Sequence, residues 1–268
     1  MTQPALSTAV RKVEEFMGHP LFERSTQGVA PTPFGGTVIG LIEDAVAAAD
    51  RVAAASRRGK AAPARLAVGT SPLIPHRLVE RLRHAAAAHP RLGADALVLH
   101  EGDLMDLQLR LDSGDIDTAI VPAVLPATRY RKREIGSEAM RLVDAPGRSH
   151  PGTAPVTTGE ATAHTLVLMA PTCGLTAFTE ALFRAAGAPL HEHPRRAASY
   201  RVLEDWVSLG LGSAILPESK ATRPDLVGHD LVDSDGNPVI MRYRAYWRDG
   251  SPMAPVIDEV MLALDEDA

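Results

Sequence analysis

In residues 3–17, QPALSTAVRKVEEFM, the apolar Leu6, Val10, Val13 and Met17, with Ala9 and Phe16 beside them, recur at the three- and four-residue steps of one helix face. Ser7, Thr8, Arg11, Lys12, Glu14 and Glu15 fall on the other faces, so the pattern predicts a helix with one side for a core and one free to touch something. Thr2 is placed to cap it, Pro4 falls in the first turn where a missing N–H costs nothing, and Gly18 is placed to stop it. HPLFERSTQGVAPT then predicts a short extended wing around a turn at Gly28, anchored by Leu21, Phe22 and Val29. Thr32 and Pro33 repeat the cap-then-proline signature, and a second helix is expected to reach about Arg58. Its stripe, Val38, Leu41, Ala45, Ala48, Val52 and Ala55, has coiled-coil spacing, although a helix packed on its own domain would carry the same stripe. GKAAPA, residues 59–64, contains two helix breakers and nothing large enough to pack, and reads as a hinge.

Beyond the hinge the period changes. RLAVG predicts a strand, Ile74–Ala88 a helix, ADALVLH a strand, Leu104–Asp112 a helix and IDTAIV a strand, an alternation that implies a parallel sheet wound by crossovers. Residues 124–138, with Arg129, Arg131, Lys132 and Arg133, read as a solvated crossover between lobes rather than a nucleic-acid patch. A second α/β unit follows: MRLVDA and TLVLMA as strands, a helix over Leu175–Ala186, a helix over YRVLEDWVSLG, and SAILP as a strand. LVGHDLV and PVIMRYRAYWR predict returning strands, and APVIDEVMLALDE a terminal helix that rejoins the first lobe.

Charge sharpens this division. Residues 1–60 hold seven Lys or Arg against six acids, net +1, so of the overall −5 the remainder of the chain carries −6. Any nucleic-acid contact therefore belongs to the front segment. Only four of the 28 basic residues are Lys, which reads as codon bias. The single Cys173 excludes an internal disulfide and any CxxC pair, there is no signal-like N-terminus, and no apolar run reaches the ~18 residues of a membrane span. These features fit a cytoplasmic protein.

TQPALSTAVRKVEEFMGHPLFERSTQGVAPTPFG resembles the recognition helix and wing of the LysR-type transcriptional regulators, whose pattern runs roughly SQPALSxxIxxLExxLGxxLFxRxxRxVxLTxAG. RLAVGTSP, EGDLMDLQLRLDSGDIDTAIV and GLGSAILP resemble that family's effector-domain landmarks, so the resemblance covers nearly the whole chain. It implies an α/β fold class: a partial winged helix-turn-helix (1–34), a linker helix (35–58), the hinge, and a bilobed, type II periplasmic-binding-protein-like effector domain (65–268). Lobe I would comprise 65–123 and 225–268, and lobe II 138–220.

The resemblance further implies that Gln3, Pro4, Ser7, Thr8 and Arg11 face bases or phosphates of double-stranded DNA, that Arg24 holds the wing to the backbone, and that the linker helix makes a dimer or tetramer. Thr8 and Gln27 stand where the family often has basic residues, which weakens the expected salt dependence. The family's domain has two further helices before this one, and an in-frame upstream stretch of about thirty residues would restore them.

Ligands of open α/β sheets bind beyond the carboxyl ends of the strands. That rule marks Thr70 and Ser71, Gly102 and Asp103, Pro122 and Ala123, and Thr172, Cys173 and Gly174, with Ser199 and Tyr200 at a helix start. Plain helix capping is the competing account of Ser71 and Thr172. These positions predict a small organic effector, one bearing a carboxylate by the hydroxyl-rich helix starts, and no cofactor. Two other readings stand beside it: a small-molecule-binding module that no longer reads DNA, and an enzyme using Cys173 with His164, His191 or His193 as its base. HEH, residues 191–193, lacks a third metal ligand, and no GxSxG elbow, Gly-rich phosphate loop or paired-carboxylate motif occurs.

Overall fold

The computed structural model describes residues 3–25, 28–39, 41, 42, 45, 46, 49, 64–125, 129–147 and 154–264. The chain divides into two compact units, Met1–Lys60 and Ala61–Ala268. Thr2, residues 50–63 with most of the expected hinge, and the side chain of Leu6 lie outside the described set.

In the first unit α1 spans Gln3–Met17 and stops at Gly18, whose φ of 72° needs no Cβ penalty. Strands β1 (Phe22–Ser25) and β2 (Gly28–Pro31) pair antiparallel, from Phe22 opposite Pro31 to Ser25 opposite Gly28. Glu14, which periodicity placed on a free face, turns back instead: its Oε1 accepts the N–H groups of Leu21 (2.8 Å) and Phe22 (3.2 Å) and ties helix to wing. Helix α2 starts at residue 33 and is described over 33–39, 41, 42, 45, 46 and 49. Thr32 opens it as expected, its Oγ1 accepting the Gly35 N–H at 2.8 Å and donating to the Pro20 carbonyl at 2.8 Å. A Cβ on Gly35 would lie 1.9 Å from the Leu21 carbonyl oxygen, so glycine alone lets α2 close on the buried Leu21.

The second unit is built on one eight-stranded sheet. β3 (Ala64–Thr70) lies parallel between β4 (Leu92–Glu101) and β5 (Thr118–Pro122). The crossovers are α3 (His76–Ala88), which buries Leu78, Leu82 and Ala86 at four-residue steps, and α4 (Leu104–Ser113), which buries Leu107 and Leu111. Each such leucine contributes roughly 2 kcal/mol by leaving water. α3 begins two residues later than its pattern suggested, because Leu73, Ile74 and Pro75 are buried in a turn in which the Ser71 carbonyl accepts the Ile74 N–H at 3.0 Å.

The largest departure concerns residues 131–144. What reads in sequence as a solvated crossover followed by a separate strand is one fourteen-residue strand, β6 (Arg131–Asp144). Its first part pairs with β10 (Ile240–Trp247), which also pairs with β5, and its last part pairs with β8 (Ala214–Pro217) and β9 (Val227–Val232). Thus a single strand serves both lobes. Gly136 sits opposite Tyr243 and Glu134 opposite Arg244, leaving Ile135 as a bulge residue. The extra residue reverses the alternation, so that Ile135 and then Glu138, Met140 and Leu142 are all buried.

The second lobe adds β7 (Val156–Thr157), α5 (Gly174–Ala185) and α6 (Tyr200–Ser208). TLVLMA is not a continuous strand there; Leu166 and Met169 form isolated bridges, and its backbone bonds are shared between Ser213 on one side and His191, His193 and Ala197 on the other. α7 (Ala254–Ala263) rejoins the first lobe against α3, where His89 Nε2 lies 2.9 Å from Glu259 Oε2.

Candidate functional site

On α1 the side chains of Ser7, Thr8, Arg11, Lys12 and Glu15 are exposed and Val10, Val13 and Met17 half-buried as their pattern predicts, but Ala9 and Phe16, which the pattern places beside the apolar stripe, are exposed as well. Arg11 pairs loosely with Glu15 across one turn, Nε to Oε1 3.6 Å, with both side chains in solvent. Gln3 and Pro4 lie in α1 and Arg24 in β1 opposite Val29, but their side chains fall outside the described set. On α2, Leu41 and Ala45 of the expected stripe are exposed, Leu41 at 65%, and Val46 beside the stripe is exposed too, so part of the stripe is uncovered within the first unit.

In the second unit the carboxyl ends of the strands are stitched together. The Gly102 N–H donates to the Thr70 carbonyl at 3.2 Å, and the Ser71 N–H to the Ile120 carbonyl at 3.1 Å. Ser71 is buried and its Oγ accepts the Leu73 N–H at 3.3 Å. Asp103 caps α4 by accepting the Asp106 N–H at 2.9 Å. That N–H, followed by the Thr172 side chain, holds its carboxyl below the usual 3.8. The Leu104 N–H donates to the Thr172 carbonyl at 3.1 Å, and a Cβ on Gly174 would lie 2.9 Å from Pro122 Cγ. Asp103, Leu104 and Pro122 of the first lobe therefore meet Thr172 and Gly174 of the second; this seam is where the lobes face each other.

Cys173 caps α5 through its backbone alone, and its Sγ lies 3.4 Å from the Tyr200 hydroxyl. Burial, with the nearby Cys173, pushes the Tyr200 phenol far above its ordinary range, so it stays a neutral hydrogen-bonding group. Ser199 is exposed and its Oγ accepts the Val202 N–H at 3.3 Å.

Sequence reasoning missed the polar core of this seam. Glu138, almost fully buried on β6, accepts from Tyr243 OH (2.8 Å) and Ser219 Oγ (2.8 Å) at Oε2, while Arg77 Nη2 lies 3.3 Å from Oε1. Arg77 belongs to α3 and Tyr243 to β10 in the first lobe, Ser219 to the second, so one carboxylate holds both. Lys220 lies beside it, its Nζ 5.9 Å from the centroid of the Tyr200 ring. A signal existed for Lys220, one of four lysines in an arginine-rich chain. None existed for Glu138, whose inward direction depends on the bulge.

A buried Ser–His–Asp constellation also occurs, with Ser213 Oγ donating to Asp144 Oδ1 and lying 2.8 Å from His164 Nδ1. The serine proton goes to the carboxylate and not to the imidazole, which is wrong for a nucleophile. His164 is thereby engaged in the core, His191 is exposed, and His193 Nδ1 bonds within its own turn to Arg195.

Comparison with known proteins follows this division. The family model "LysR substrate binding domain" matches residues 59–268, and "Bacterial regulatory helix-turn-helix protein, lysR family" matches residues 1–36. The chain belongs to the LysR family of transcriptional regulators. As a LysR-type regulator it combines DNA binding with response to a ligand taken by the substrate-binding unit. It is 28% identical over 222 residues to the hydrogen peroxide-inducible genes activator of Dickeya chrysanthemi, covering 81% of this chain and 70% of that one. It is 25% identical over 254 residues to the regulator CbbR of Xanthobacter flavus, covering 91% and 74%. Among solved structures, Corynebacterium glutamicum OxyR matches 99% of this LysR-type chain with 85% of its own (TM-score 0.64, 23% identity), and full-length BenM matches 100% with 87% (TM-score 0.63, 19% identity). At such identities these likenesses speak for the fold.

Proposed function

We propose that α1 reads the major groove of double-stranded DNA through Gln3, Pro4, Ser7, Thr8 and Arg11, with Arg24 on the phosphates. The exposed polar face of α1, locked to its wing by Glu14, is the observation that carries this reading. Residues 1–34 then form the DNA-reading segment, 35–58 the linker helix and 59–64 the hinge. α2 pairs with a second copy, supported by the exposure of the stripe residues Leu41 and Ala45.

The remainder, 65–268, senses a small organic effector in the seam lined by Thr70, Ser71, Gly102, Asp103, Pro122, Thr172, Cys173, Ser199 and Tyr200. It acts by binding and not by turnover, in the cytoplasm; among the described residues no helix is long and apolar enough to cross a membrane. An effector with higher affinity for one arrangement of the lobes shifts the population toward it, and with it the spacing of the DNA-reading helices in an oligomer. A response to peroxide like that named for the Dickeya activator would rest here on one thiol, because Cys173 has no second cysteine to pair with.

A mobility-shift assay of the full chain on duplexes from its own upstream region tests the reading. Retardation that weakens with salt, and weakens further in Arg11→Ala, is expected. Absence of any retarded species at low salt would overturn it.

A further inference from the structure

A groove of ≈ 380 Å³ opens within the second lobe, between the start of α6 and the segment that follows β8. Residues 200, 201, 204 and 205 of α6 line one side and Lys220 with 222–224 the other; of the positions assigned to the seam it shares only Tyr200. The lining carries three cations, Arg201, Lys220 and Arg223, against two carboxylates, Glu204 and Asp205. Both carboxylates are already bonded. The buried Glu204 accepts the Thr222 N–H (2.7 Å) and the Arg223 N–H (3.1 Å) at Oε1, and the Thr222 hydroxyl (2.9 Å) at Oε2. Asp205 Oδ1 accepts from Arg223 Nη1 at 2.5 Å, and the same guanidinium gives Nε and Nη2 to Asp225 at 2.9 and 2.8 Å. What is left over is positive. Among the described residues the side chains of the exposed Arg201 and the half-buried Lys220 make no hydrogen bond and no ion pair within 4.0 Å; Lys220 rests on the Tyr200 ring, its Nζ 5.9 Å from the centroid.

A half-buried ammonium with no anion against it is costly to keep charged, and burial lowers the Lys220 pKa accordingly; an anion entering the groove offsets that cost. Tyr200 and Arg201 are the first two residues of α6, so the positive end of the helix dipole acts in the same sense. Tyr200 and Pro224 supply the apolar part of the lining, and the volume lies at the lower end of the roughly 300–1,000 Å³ of small-molecule pockets. We infer that this groove is a second ligand site, separate from the effector seam, and that it takes a small organic anion whose charged group lies between Arg201 and Lys220 and whose carbon body lies against Tyr200 and Pro224. The site requires nothing of the seam and stands whether or not an effector binds there.

The test is isothermal titration of the full chain with phenylacetate, phenyl phosphate, the neutral 2-phenylethanol and inorganic phosphate. At least one of the two organic anions is expected to bind, about tenfold or more tighter than the alcohol, and the tighter of the two tells a carboxylate site from a phosphate site. Arg201→Gln and Lys220→Met should each weaken that anion by about tenfold. Both remove side chains without a bonded partner, so the melting temperature should stay in place. The alcohol binding as tightly as the anions, inorganic phosphate binding as tightly as phenyl phosphate, or neither organic anion binding would each overturn the assignment. Weakening by Lys220→Met with none by Arg201→Gln would place the anion outside the groove, so that this assignment fails while the effector reading stands.

Discussion

The two units use polar side chains in opposite ways. On α1 the described polar side chains Ser7, Thr8, Arg11, Lys12 and Glu15 stand in solvent, and the ion pair of Arg11 with Glu15 is long and exposed. In the effector unit Glu138 and Glu204 point inward and are bonded there, Glu138 to Tyr243 and Ser219 and Glu204 to the Thr222–Arg223 turn, while the exposed Asp103 bonds the start of α4. A face exposed to solvent keeps its side chains hydrated, whereas buried polar groups must find partners within the protein.

Four substitutions probe this contrast, in descending order of effect on stability. Gly35→Ala forces a Cβ onto the Leu21 carbonyl and should destabilise the first unit by about 3 kcal/mol. Duplex binding would be lost while calorimetric unfolding of the effector unit stays in place; a shift in both transitions would mean the units do not unfold independently. Glu138→Ala leaves the buried Tyr243 hydroxyl without its acceptor and should cost about 2 kcal/mol by urea denaturation. Low-salt DNA affinity should be unchanged.

Asp103→Ala removes the cap of α4 and should cost about 1 kcal/mol. Because the folded carboxyl is held below 3.8, this contribution is fully present above that pH and fades as the pH falls toward the lower folded value. The stability difference between wild type and variant should accordingly shrink below pH 4, as read from denaturation at graded pH. Arg11→Ala should change stability by no more than about 0.5 kcal/mol, because its partner is exposed. It should still reduce the slope of log affinity against log salt by about one.

The same contrast explains what could be read without coordinates. α1, the wing, the Thr32 cap and the β3-to-β5 alternation are local patterns, each decided by residues three or four apart or by strict alternation, and all lie where their patterns put them. Glu14 went astray because its partners, Leu21 and Phe22, lie beyond the helix that periodicity describes. β6 was split because its first half is rich in arginine on the exposed side, and a bulge set by pairing with β10, more than a hundred residues later, turns Glu138 inward. The strand-end rule brought Thr70, Gly102, Asp103, Pro122 and Thr172 to one seam, since it depends on topology. It was blind to Lys220 and Glu138, which enter from a loop after β8 and from the strand that crosses between lobes.

Strand β6 has one more consequence. Since residues 131–139 complete the hydrogen bonding of one lobe and 140–144 that of the other, neither lobe owns a finished sheet without it. A protease nick or a gene truncation within this ribbon cannot release a working half; the sensor is divisible in outline but not in inheritance.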